Sequence, residues 1–214
     1  DYTFFQGFRA FPVVEIKNAV FRYIKFTGDF KMNNLEIVND YEFTNSKFNG
    51  IFSCDKVETI GIDAFRYSGF IGDFNCPNLQ TVGYQAFRNS KFNGMFNCPK
   101  VRTIDSYAFE KNYFIGSFNC PDLITVGYNA FYRSTFAGSF KCPNVQTVGN
   151  KAFLNSVFDG DFECPNLQTV GIRAFESSQF NGAFNCPNLQ TVGDNAFYYS
   201  VFDDVFECPN LQTV

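Results

Sequence analysis

Hydrophobic residues recur in this chain as a repeated phrase. They follow neither the 3.6-residue period of a helix nor a plain alternation. Residues 164–175 read CPNLQTVGIRAF and residues 186–197 read CPNLQTVGDNAF, differing only at two neighbouring positions 22 residues apart. The whole chain keeps that interval. One phenylalanine ladder steps by 22 from Phe21 through Phe43, Phe65, Phe87, Phe109, Phe131, Phe153 and Phe175 to Phe197. A second starts at Phe4 and Phe26 and ends at Phe180 and Phe202, and a third runs from Phe8 and Phe30 to Phe184 and Phe206. Only Phe5 and Phe11 of the 31 Phe fall outside, so the repeat organises the core. The consensus is C-P-N-L-Q-T-V-G-x-x-A-F-x-x-S-x-F-x-G-x-F-x, with full copies beginning at residues 10, 32, 54, 76, 98, 120, 142, 164 and 186.

A 22-residue unit is too short for a helix pair and suits one short strand with a turn-rich return. Stacked units pair such strands in parallel at about 4.8 Å, giving a rod or arc roughly 45 Å long. The strand is expected in F-x-G-x-F-x-C, as in Phe92–Cys98, with Phe96 and Cys98 inward and Met95 and Asn97 outward. Pro99 lacks an N–H and ends the ladder. Leu79, Val82, Ala86 and Phe87 return to the core, and Gly83 is expected to supply a turn conformation that a Cβ resists. The organisation predicted is a single mainly-β solenoid over 1–214, with its parallel sheet on the concave face and turns on the convex side. Residues 1–53 are degenerate capping repeats, in which Lys17 and Asn39 replace the Gly and Val20 and Glu42 replace the Ala. Residues 54–207 form seven regular repeats, and 208–214 begin another that stops mid-phrase, which suggests truncation or a continuation. The opening at Asp1, without Met or a leader-like stretch, is expected of a mature product or a fragment.

Pro77, Leu79, Val82, Gly83, Ala86, Phe87 and Phe96, recurring in the later copies apart from Asp105 at the Gly position and Val or Ile at some Leu and Val positions, resemble the BspA-like (Treponema pallidum type) leucine-rich repeat. That unit reads roughly I-P-x-x-V-x-x-I-G-x-x-A-F-x-x-C-x-x-L-x-x-I-x. The resemblance spans essentially the whole chain, more weakly over its first 50 residues. This chain is one residue shorter per unit and uses Phe for most Leu and Ile. It also carries Ser68, Ser90, Ser134, Ser156, Ser178 and Ser200 where the family has Cys. The resemblance implies a leucine-rich-repeat arc and a secreted or cell-surface protein that binds other proteins, often host or matrix components.

Composition narrows the chemistry. A net charge of −4 argues against nucleic acid as partner, and no apolar run is long enough to span a bilayer. With no His, Ser-His-Asp and Cys-His catalysis are excluded, and no insertion interrupts the repeat to build a pocket. No enzyme activity and no cofactor are expected. All eight Cys, Cys54 to Cys208, occupy one repeat position without the C-x2-4-C spacing of zinc sites. In-register parallel neighbours point the same way, so buried free thiols are the leading expectation, with disulfides and metal as alternatives. An acidic cluster of Asp159, Asp161, Glu163, Asp203, Asp204 and Glu207 could hold Ca²⁺ or meet a basic partner, or be only a solvated face.

Variation concentrates outside the core and turn positions. Along the strand face it falls at Asp73, Met95, Ser117, Ser139, Asp161, Ala183 and Val205, with outer neighbours Asn75, Asn97, Asn119, Lys141, Glu163, Asn185 and Glu207. A constant scaffold with a changing outer face suits an extended partner-binding surface, and neutral drift would look the same. Exposed Tyr198, Tyr199 and the Tyr132-Arg133 pair are interface-enriched types. The expected function is a non-enzymatic, extracellular or cell-surface module for adhesion and protein binding. The alternatives are a structural protein that self-associates through its end coils, and an intracellular scaffold, which free Cys also suit.

Overall fold

Parallel stacking of identical units requires residue i to face residue i+22. That register holds along the chain, with Phe74, Phe96, Phe118, Phe140 and Phe162 paired in succession. The computed structural model describes residues 3–9 and 21–213, which wind into a parallel β-solenoid without a helix among the described residues. The Lys17 and Val20 replacements and the side chains of Phe4, Phe5, Phe8 and Phe11 lie outside the described residues.

Each regular coil carries three two-residue strands where one was expected. In the coil beginning at Ser90 these are Lys91–Phe92, Phe96–Asn97 and Thr103–Ile104. The first two join an 18-stranded sheet and the third an 8-stranded sheet. The division of F-x-G-x-F-x-C follows from a bend at Asn93–Gly94. A Cβ on Gly94 would lie 2.6 Å from the Gly72 carbonyl carbon, so adjacent coils approach too closely there for any side chain. Gly83 serves the same purpose: its Cβ would meet the Ile60 carbonyl oxygen at 2.6 Å. Its φ is not positive, so the conformational role expected of Gly83 gives way to close approach.

The left-handed backbone falls instead on non-glycine residues. Gln85, Tyr107, Asn129, Lys151, Arg173 and Asn195 have φ between 51° and 58°, as do Asn89, Lys111, Arg133, Asn155, Ser177 and Tyr199 four residues later. All but Lys111 are the third residue of a hydrogen-bonded turn, such as Gly83–Ala86 closed by Ala86 N–H to the Gly83 carbonyl (3.2 Å), which matches a type II geometry. Cross-coil bonds hold them there: Lys151 N–H donates to the Ile172 carbonyl at 2.9 Å and Arg173 N–H to that of Asp194 at 3.0 Å. Asn and Asp tolerate this region best, yet Lys and Arg occupy it because the cross-coil bonds fix the conformation.

Three phenylalanine stacks fill the core. Rings within a ladder stack nearly parallel, Phe96 on Phe118 at 5.0 Å and Phe131 on Phe153 at 5.0 Å. Rings of different ladders meet edge to face, Phe92 and Phe96 at 5.5 Å and 88°. Leu79, Val82, Ala86 and Phe87 are fully buried, as are Phe96 and Cys98, while Met95 is 46% exposed. The expected inward and outward assignment therefore holds, although one strand became two.

Candidate functional site

The bend at Asn93–Gly94 gives the large sheet two outward faces. The rows singled out in the sequence line the second, after the bend. Asn75, Asn97, Asn119, Lys141, Glu163, Asn185 and Glu207 are register partners at the ends of successive strands. Beside them run Asp73, Met95, Ser117, Ser139, Asp161, Ala183 and Val205, among which Met95 and Val205 (58%) are the most open apolar groups.

Much of the polarity on this face links one coil to the next. Asp73 Oδ1 accepts the Met95 N–H at 2.8 Å and Asp161 Oδ1 that of Ala183 at 3.1 Å. Asn97 donates to Asn75 Oδ1 at 3.4 Å, and Lys141 pairs with Glu163 at 3.0 Å. The acidic cluster is thereby partly engaged, since Asp159 Oδ1 also accepts from Asn181 at 2.6 Å. Asp203, Asp204 and Glu207 are exposed, and the described residues contain no group of three or more acidic or thiol side chains arranged to hold a metal.

Cys54 to Cys186 are buried and free, and Cys208 is half-buried and free. Burial pushes the Cys120 and Cys164 thiols well above their ordinary range and Cys208 up to about 11. The thiolate, which does the chemistry of cysteine, is suppressed from Cys120 to Cys208.

The serines standing in the family's Cys position form a polar ladder beneath the turns. Ser134 Oγ donates to the Phe109 carbonyl at 2.7 Å and accepts the Asn112 N–H at 3.1 Å; Ser156 and Ser178 repeat the pattern. Asn112 replaces Ser in one coil: its Nδ2 reaches the Phe87 carbonyl at 2.7 Å, but its buried Oδ1 has no partner. On the turn side, Tyr84, Tyr107 and Tyr128 meet edge to face at 5.8 and 5.6 Å. Tyr198 and Tyr199 are 50% and 74% exposed with rings 4.1 Å apart, and Arg133 lies over Tyr132 at 5.0 Å.

The first outward face, before the bend, was not anticipated. Lys25, Lys47 and Lys91 share one row, broken by Gly69, where a groove of about 440 Å³ opens between Lys47 and Lys91. Their common repeat phase was the signal available in the sequence. In all, the two faces offer donors, acceptors and apolar groups at the coil spacing near 5 Å, a format suited to gripping an extended partner.

No curated protein and no solved structure matches the chain. The family model for the BspA type leucine-rich repeat region does, with 6 copies over residues 11–115, 36–159 and 100–203. The repeat phase, the parallel solenoid and this match agree: the chain belongs to the BspA-type leucine-rich repeat family.

Proposed function

We propose that this solenoid is a non-enzymatic module of a secreted or cell-surface protein, and that it binds a protein ligand on its second outward face. The observation that carries the reading is the contrast between constant buried ladders and changing side chains at Asp73 to Val205 and Asn75 to Glu207, on an open surface. The family's association with protein interaction, and with bacterial surface or secreted proteins, supports it. An extended ligand laid along the stack would meet one pair of side chains every ~5 Å, so recognition would be spread over several coils.

The test is binding to an array of purified extracellular-matrix and host-surface proteins, using wild type, a Met95→Asp/Asn97→Lys/Asn119→Lys variant and a turn-side Tyr128→Ser variant. A ligand bound by wild type and by the turn-side variant but lost by the face variant is the expected result. Binding that the face substitutions leave intact would contradict the assignment.

A further inference from the structure

The first outward face carries a charge gradient that the second does not need. Its two rows of side chains run along nine coils, from Lys25 and Thr27 at one end to Val201 and Asp203 at the other. Cations occupy the first, second and fourth coils as Lys25, Lys47 and Lys91, and carboxylates the seventh and ninth as Asp159 and Asp203. Between them, in the fifth coil, Tyr113 and Ile115 are 40% and 45% exposed, and Ile71 in the third is 56% exposed.

Two of the three lysines, Lys47 and Lys91, are short of counter-charge. Lys47 Nζ donates to the Tyr67 carbonyl at 3.1 Å, and Lys91 lies over the Tyr113 ring at 5.5 Å; among the described residues neither forms an ion pair with a carboxylate. Lys47 also leans across Gly69, 3.3 Å from where a Cβ would stand, and its partial burial pulls the ammonium below its ordinary range. Beside it lies the groove floored by Gly69, Phe70 and Ile71.

A two-fold axis along the Tyr113–Phe114 strand would set coil one against coil nine and coil three against coil seven of a second copy. The cationic half of one copy then lies against the acidic half of the other, and no like charges are opposed. Lys25 comes within lysine reach of Asp203, and Asp159 falls between Lys47 and Lys91. Val157 projects at the gap left by Gly69, and Tyr113 and Ile115 pack on their own counterparts at the axis. We propose that this face is the contact between two antiparallel copies of the chain, leaving the second face of each free for ligand.

Such an interface is isologous, so each complementary pair is made twice. The face is about 40 Å long and covers roughly 600 Å² per copy, so a dimer would bury about 1,200 Å², the lower edge of the range for specific complexes. It is accordingly a reversible dimer, sensitive to salt.

Sedimentation velocity of the chain over ~1–500 µM, at about 50 and 500 mM salt, tests this. The expected result is a monomer–dimer equilibrium at least ~10-fold weaker at high salt. An all-acidic variant (Lys25→Glu, Lys47→Glu, Lys91→Glu) and an all-basic one (Asp159→Lys, Asp203→Lys) should each stay monomeric, and an equimolar mixture of the two should dimerise. Zero-length carbodiimide cross-linking of wild type provides a readout independent of the variants. It should join Lys25 to Asp203, which sit at opposite ends of the stack within one copy and cannot react there. A monomer at every concentration, growth beyond the dimer, no pairing in the mixture, or cross-links mapping elsewhere would each overturn the proposal.

Discussion

The strand side and the turn side of each coil solve the same problem, parallel stacking at about 5 Å, by different physics. On the strand side the solution is apolar, with Phe92 and Phe96 stacked on Phe114 and Phe118 and the adjacent Cys buried beside them. On the turn side it is polar: backbone N–H groups reach the next coil and the serine ladder satisfies the carbonyls that the turns leave over. Phenylalanine tolerates small errors of register because dispersion is non-directional, whereas a buried hydrogen-bond ladder does not. One misfit residue should therefore be felt more specifically on the turn side, and total stability should reside mainly on the strand side.

The largest contrast expected is in thiol reactivity. A native-state thiol titration at alkaline pH should find half-buried Cys208 reacting first while the seven buried cysteines wait for unfolding, slower by at least ~1,000-fold. Rapid modification of several thiols would show the strand-side core to be open. Next comes close approach. Gly138→Ala places a Cβ 2.7 Å from the Gly116 backbone and should cost about 1–3 kcal/mol in denaturant unfolding, since backbone must shift. An unchanged midpoint would mean that the coils can separate there freely.

The serine ladder sharpens the comparison. Ser134→Ala removes the partner of the Phe109 carbonyl and the Asn112 N–H, with an expected loss of about 1–3 kcal/mol. Asn112→Ser, which restores the ladder and removes an unpaired buried oxygen, should raise stability by about 1 kcal/mol. If both changes proved neutral, the polar ladder would be incidental. The smallest effect is expected at Lys151, where φ is 56°: Lys151→Asn should stabilise by roughly 0.5 kcal/mol by relieving left-handed strain, and a loss would indicate that the Lys side chain matters more than its backbone.

The strand side was largely legible before folding was known. Phe and Cys ladders at one phase announce stacking, and the inward positions Phe96, Cys98, Leu79 and Val82 follow from alternation and composition. The bend at Gly94 was not legible, because Phe92 and Phe96 point inward whether the intervening residues run straight or turn. Hence two outward faces were read as one, and the Lys25–Lys47–Lys91 row was passed over. The turn side was harder. Its left-handed positions carry Lys, Arg, Tyr and Gln, residues without a turn signature, because cross-coil hydrogen bonds impose the conformation from outside the local sequence. Gly83 drew attention as a turn residue when its purpose is contact with Ile60 of the preceding coil. Ser68, Ser90 and their counterparts were visible as departures from the family's Cys, but their donor and acceptor pairing belongs to coil neighbours 22 and 25 residues away.

The central claim is that stacked inward phenylalanines hold the solenoid while their outward neighbours are free to vary. Phe118 and Asn119 are adjacent in one strand, the first fully buried and the second exposed. Equilibrium unfolding of Phe118→Ala and Asn119→Ala tests the claim most directly. A loss of about 3–5 kcal/mol for the first against under ~0.5 kcal/mol for the second is predicted, and equal, small losses would contradict it.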